Sequence, residues 1–504
     1  MVVMPVQYMQ PALLSSSHVT KVFDMKGTVF FDTAFPIFTI PTPAPASALS
    51  YTVTDFAGTT ILHGQVATES EQTMLSLPRL PDDYYVLTVV EHTTAASTTH
   101  IIPFTIVAPF SPPAGAPFGV SVHFSRYDPL DTLPTMLTMG TTLIRDDATW
   151  AQIETTQGTY TFGHLDPYMQ VLQQHNVEPL LILDYNNPLY DQGLTPYDEV
   201  GFTAFANYAQ ALVSHYGPQL KAVEVYNEYN STFSSGPCAR KASCYAQLLR
   251  STYQAIKAVR PDVMVVAGAT FGIDLDWFKE LFAAGGLPVA DALSVHPYSL
   301  FFIDPPEVRG IATNLQALQH LIQANNHGQT KPLWITEIGW TTALNLTDEA
   351  DQAQYLVRSA MLSLSVGVEK FFWYDFLNDG TDSVLMEQNF GLLKRPDALG
   401  YYTPKPAYTA FAVLVRALAG RSFLRREPAP PGVYHMRFSD DLHVLWSMPL
   451  NQPRAFAATG AVTSVSMTGK KQTVHPVVGK ITLNLSRSPL YLQGNISETL
   501  EACQ

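Results

Sequence analysis

From Phe118 onward, eight short apolar runs alternate with stretches of helical period, and this rhythm restricts the chain more than any other feature. The runs are FGVSVHF (118–124), TLIRDD (142–147), PLLILDY (179–185), AVEVYNE (222–228), VMVVAGA (263–269), ALSVHPY (292–298), LWITEI (333–338) and EKFFWYDF (369–376). Between them lie segments such as FTAFANYAQALVSHYG and EADQAQYLVRSAMLSLSVG, whose apolar residues recur at helical spacing. Strands buried on both faces and joined by helices run parallel, and eight such units close into a ring. The pattern predicts an α/β chain with a (β/α)8 TIM barrel over 113–420, its last helix being PAYTAFAVLVRALAG.

On either side the rhythm changes. From Lys21 to Ile106, and again after Gly420, short alternating runs are punctuated by Gly and Pro, as in LSYTVTDFAG and GVYHMRFSDDLHVLWSM. These predict an N-terminal and a C-terminal antiparallel β-sandwich domain over 1–112 and 421–504. PFSPPAGAP (109–117) is the linker between the first and the barrel.

Two of the eight runs deliver a carboxylic acid. VEVYNEYN (223–230) ends on Asn227 and Glu228, and LWITEIGW (333–340) carries Glu337 to a Gly-containing turn. With a period of two, Glu224, Tyr226 and Glu228 share one face, as do Leu333, Ile335 and Glu337. On this count Glu228 ends the fourth strand and Glu337 the seventh, so both belong at the C-terminal face, where barrel active sites are built. Paired carboxylates there suit cleavage of a glycosidic bond, because one donates a proton while the other meets a developing oxocarbenium ion. Glu224, lower in its strand, is a rival acid better suited to an internal ion pair.

Around this pair several residue types fit the same chemistry, each with a plainer alternative. Arg145 would hold Glu337 ionised, or serve a structural ion pair. Asn227 suits a sugar 2-hydroxyl, or a capping role. Tyr298 would donate to Glu337, and His296 would touch sugar hydroxyls or a neighbouring acid, or sit in the core. Trp373 offers a pyranose an apolar face, or packs. His123, Tyr185 and Trp340 fall at or just beyond strand ends. A Walker loop, a strand-following GxGxxG and a GxSxG elbow are all missing from the sequence.

Asn227–Glu228, the TEIGW run (336–340), Arg145, HPY (296–298), Trp373, NFGLL and KPAY (405–408) resemble the retaining glycoside hydrolases of clan A, and 118–420 is similar to their family 39 and family 5 members. The resemblance implies that Glu228 is the acid/base and Glu337 the nucleophile of a double displacement on a β-linked carbohydrate. Tyr229–Asn230 departs from it, since those families usually carry Pro after the acid/base. The reaction asks for no metal and no organic cofactor. A non-catalytic glycan-binding protein on the same barrel is the rival class; a transglycosylase would use the same residues.

Composition agrees with a neutral glycan. Of 504 residues 46% are hydrophobic and 14% charged, a globular balance, and the net charge of −14 argues against nucleic acid or an acidic membrane surface. No segment reaches the ~18 apolar residues of a membrane span. The start MVVMPVQYMQPALL lacks the features of a signal peptide, so a secreted or extracytoplasmic location requires a signal outside this chain, and a cytoplasmic one is the alternative. Cys238 and Cys244 either close a small disulfide loop after Glu228 or remain thiols, while Cys503 stands apart. No Cys/His spacing resembles a zinc site.

Overall fold

The computed structural model describes residues 27–42, 48–68, 71–92, 97–299 and 303–498. The N-terminal start considered above and Cys503 lie outside them. The first strands are β1 (Val29–Phe31), β2 (Ile37–Pro41), β3 (Ala48–Asp55), β4 (Thr60–Val66), β5 (Gln72–Ser76), β6 (Asp83–His92) and β7 (Ser97–Val107). Five of them form a sheet in the order β1-β7-β6-β3-β4, faced by a two-stranded ribbon of β2 and β5. Phe38, Ile40, Val53, Leu87 and Phe104 pack together as the core of this layer. One pairing departs from the antiparallel expectation: β1 runs parallel to β7.

The barrel is closed by β8 (Phe118–Ser121), β9 (Leu143–Thr149), β10 (Glu178–Asp184), β11 (Ala222–Val225), β12 (Met264–Phe271), β13 (Ala292–His296), β14 (Leu333–Ile338) and β15 (Lys370–Trp373), with β15 pairing back onto β8. Side chains alternate between its two faces. Leu180, Ala222, Val266, Ala292, Trp334 and Phe372 fill the interior, while Leu181, Val223, Val265, Leu293, Ile335 and Phe371 join the large core with the surrounding helices. Some of those helices start on capping carboxylates: Asp198 accepts from the Gly201 amide before Glu199–Tyr216, and Asp348 from the Asp351 amide before Glu349–Leu364. At Gly119 the interior is so tight that a Cβ would stand 2.6 Å from the Phe372 ring.

Strand ends differ from the sequence expectation, and the differences bear on the site. The fourth strand stops at Val225, short of Glu228. Tyr226 and Glu228 take left-handed backbone (φ +65° and +46°), an uncommon state for bulky residues that concentrates at functional sites. Period two therefore breaks after Glu224, and Tyr226 turns away to donate to the Phe233 carbonyl at 3.1 Å. On the seventh strand Trp334 points inward and Leu333 and Ile335 outward. A register shift between Ile335 and Ile338 then re-aims Glu337, as bulges beside active sites do.

After the barrel, strands between Phe423 and Glu498 build a six-stranded and a three-stranded antiparallel sheet. Met436, Phe438, Val444, Trp446 and Tyr491 continue the barrel's own core, whereas Leu445, Phe456, Ile481 and Leu492 form a second one. No helix of the described residues is long and apolar enough to cross a membrane.

Candidate active site

Arg145 organises the mouth of the barrel. It stands on β9 facing the interior, 3% exposed, and its guanidinium donates from Nε to Glu224 Oε2 at 2.8 Å, from Nη1 to Glu337 Oε2 at 2.9 Å and from Nη2 to Asn227 Oδ1 at 2.8 Å. A rigid fork with three acceptors sets the relative position of three strands. Glu224 also accepts from the Ser294 hydroxyl at 2.6 Å and is fully buried below the cleft, so it is an internal ion-pair partner. Asn227 Nδ2 donates in turn to the Tyr185 hydroxyl at 3.1 Å.

Glu337 receives a second hydrogen bond, from the Tyr298 hydroxyl to Oε1 at 2.9 Å. Glu228 lies against His296, whose Nδ1 is 3.0 Å from Oε1. Arg145 and Thr336 face the other ring nitrogen at 3.4 and 3.2 Å. Because Arg145 can only donate, Nε2 is the acceptor and the proton sits on Nδ1, aimed at Glu228. Burial and the Arg145 charge push the His296 pKa well below its usual range and keep the ring neutral. A carboxylate oxygen of each glutamate and a nitrogen of His296 all lie within 4.8 Å of one another.

These surroundings treat the two acids differently. Burial and then the Glu337 charge push Glu228 up to about 9. Burial raises Glu337 as well, but Arg145 and the Tyr298 hydroxyl pull the other way. Glu337 is therefore the acid that ionises first, and Glu228 the one that keeps its proton.

Glu228, Glu337, Arg145, Asn227, Tyr298, Tyr185 and His123 all line one cleft. Three expected substrate contacts do not. His296 is fully buried beneath the acids, so it meets Glu228 rather than a sugar hydroxyl. Trp373 faces outward because Phe372 takes the interior position, and it stacks on Trp340 with ring centroids 6.0 Å apart. Trp340 is equally buried, donating to the Asp304 carbonyl at 2.9 Å. Neither indole reaches the cleft, so both are corrected to packing residues.

The lining also holds residues that the sequence reading passed over: Arg126, Asp147, Phe233, Phe271, Tyr374 and Glu387. Asp147 was within reach, being two residues beyond Arg145 on the same face; it pairs with Arg126 at 3.0 Å. Burial works against the charge of His123, but Asp147, Asp379 and Asp128 around it raise it to about 10. Glu387 comes from a 3-10 turn, Met386–Asn389, which has no periodic signature. Burial and then Glu337 push it to about 7.

Cys238 and Cys244 are joined in a disulfide that closes the loop following Glu228. Closing so short a loop removes unfolded-state freedom equivalent to roughly 2 kcal/mol. A Cys238→Ser/Cys244→Ser variant is expected to lose about that much stability in urea unfolding. Two free thiols in the native protein under non-reducing mass spectrometry would contradict the bridge.

Residues 198–399 match the glycosyl hydrolase catalytic core family. A family 39 glycoside hydrolase from the gut symbiont Bacteroides cellulosilyticus WH2 is similar in structure, with TM-score 0.78 and 22% identity over 93% of this chain and 99% of that one. A monomeric β-xylosidase from Caulobacter crescentus CB15 superimposes with TM-score 0.53 and 16% identity over 76% and 96% of the two chains. A conserved exported protein from Bacteroides fragilis gives TM-score 0.54 and 12% identity over 76% and 99%. No curated protein sequence matches the chain. The structural likenesses speak to the fold, and the family match places a glycosidase core, with a carbohydrate as its substrate, in the barrel that carries Glu228 and Glu337.

Proposed function

We propose that this cleft hydrolyses β-glycosidic bonds with retention of configuration. Glu337, ionised beside Arg145, attacks the anomeric carbon while Glu228 gives its proton to the departing oxygen; the glycosyl ester is then opened by a water that Glu228 deprotonates. Asn227 stands beside the nucleophile, where a sugar 2-hydroxyl would meet it. The observation that carries the reading is the closeness of the two acids: one oxygen of each carboxylate lies within 4.8 Å of the other, which suits the ~5–5.5 Å between the carboxyl groups of a direct nucleophile and its acid better than the roughly 6.5–9.5 Å that admits a water. A product profile on β-linked oligosaccharides and aryl glycosides, β-xylosides first, tests it. Failure to release sugar from any of them would sink the proposal.

The charge coupling gives a pH prediction. The donor form needs Glu228 protonated and Glu337 ionised, so kcat/KM rises with pH as Glu337 loses its proton and falls as Glu228 loses its own, with the alkaline limb displaced upward towards about 9. In Glu337→Gln the neighbouring charge is gone, and carbon-13 NMR should show Glu228 titrating at lower pH than in the wild type. An unchanged titration would mean that the two carboxylates do not interact.

We further propose that the protein works outside the cytoplasm, where a Cys238–Cys244 bridge persists.

A further inference from the structure

We infer that Phe233, stacked on Tyr185, is the platform on which the leaving-group sugar lies beside Glu228; the inference rests on the hydrolase reading above. Among the described aromatic residues lining the cleft, Phe233 alone is largely exposed, at 47%. A single exposed ring is ordinarily unremarkable, but this one is held in place. It lies parallel to Tyr185, with centroids 5.5 Å apart and planes at 12°. Its carbonyl accepts from Tyr226, and its amide donates to the Ser231 hydroxyl at 3.4 Å. The Cys238–Cys244 disulfide closes the same loop a few residues later. Tyr185 beneath it is tied through Asn227 to Arg145, and so to Glu337. The orientation of the ring is therefore set relative to both acids.

The two sides of the cleft differ in kind. The segment after β8 brings His123 and Arg126, and β9 brings Asp147, a charged array suited to hydroxyl groups. The loop after β11 brings the Phe233 face instead. An acid that protonates a glycosidic oxygen stands between the two sugars that the oxygen joins, so side chains on its own loop flank the departing one. A pyranose presents C–H bonds on one face, and a fixed aromatic ring receives that face with both burial and electrostatic complementarity. Departure of the sugar alcohol needs no further group: Glu228 supplies the proton, and the bonding pair leaves with the oxygen.

The test separates leaving groups. A β-glycosyl fluoride carries no leaving sugar, whereas the β-linked disaccharide of the same glycone does. The pairs β-xylosyl fluoride with xylobiose and β-glucosyl fluoride with cellobiose are measured on wild type, Phe233→Ala and Phe233→Tyr, using the pair that wild type turns over faster. Phe233→Ala is expected to lower kcat/KM for the disaccharide by about tenfold to a hundredfold, at least ten times its effect on the fluoride, and Phe233→Tyr to restore it. Equal losses on both substrates, as a disordered loop would give, overturn the platform, as does an unaffected disaccharide. If wild type hydrolyses neither fluoride nor disaccharide in either pair, the hydrolase reading itself falls.

Discussion

Glu337→Ala is expected to lose hydrolysis by on the order of 10⁴-fold or more, because the variant lacks the atom that forms the covalent bond to the anomeric carbon. The fold should survive the change. Arg145 keeps Glu224 and Asn227 as partners, and Tyr298 loses an acceptor at the wet mouth of the barrel rather than in its core. Azide added to the variant fits the space vacated by the carboxylate and attacks from the same face. With no second displacement to follow, the product is a glycosyl azide of inverted configuration. Near wild-type activity in a folded Glu337→Ala protein would contradict the assignment.

Glu228→Ala should fail differently. An aryl glycoside with an activated leaving group hardly needs a proton, so the first step is spared and glycosyl enzyme accumulates. The second step lacks its base, and steady turnover falls by roughly 10²- to 10⁴-fold. Stopped-flow absorbance should therefore show a burst of aryl alcohol equal to the enzyme concentration, followed by a slow phase. Slow release with no burst would mean that the first step is the one that fails, and turnover near that of the wild type would mean that Glu228 acts in neither; both contradict the assignment. The contrast between the variants follows from the surroundings of the two acids: Arg145 and Tyr298 favour the charged form of Glu337, while burial and Glu337 itself favour the neutral form of Glu228.

Much of this was legible in the residues, because barrel strands buried on both faces read as apolar runs and their C-terminal ends are where chemistry gathers. Glu228, Glu337 and Arg145 were found on that basis, and they do share one cleft. Finer placement was harder, since simple alternation assumes unbroken strands. The left-handed backbone at Tyr226 and the register shift before Ile338 both break it. Trp373 was offered to a pyranose or to packing, and it packs, because Phe372 takes the inward position on its strand. Glu387 and Phe233 lie on loops without a period, and only the folding of the chain brings them to the acids.

The most direct test of the double displacement is the configuration of the first-formed sugar, followed by proton NMR at the anomeric position during hydrolysis of a β-glycoside. Glu337 and Glu228 acting as nucleophile and acid/base require the β-anomer to appear first, with the α-anomer growing only by mutarotation. Initial appearance of the α-anomer would show a single displacement by water, and Glu337 would then be a base and not a nucleophile.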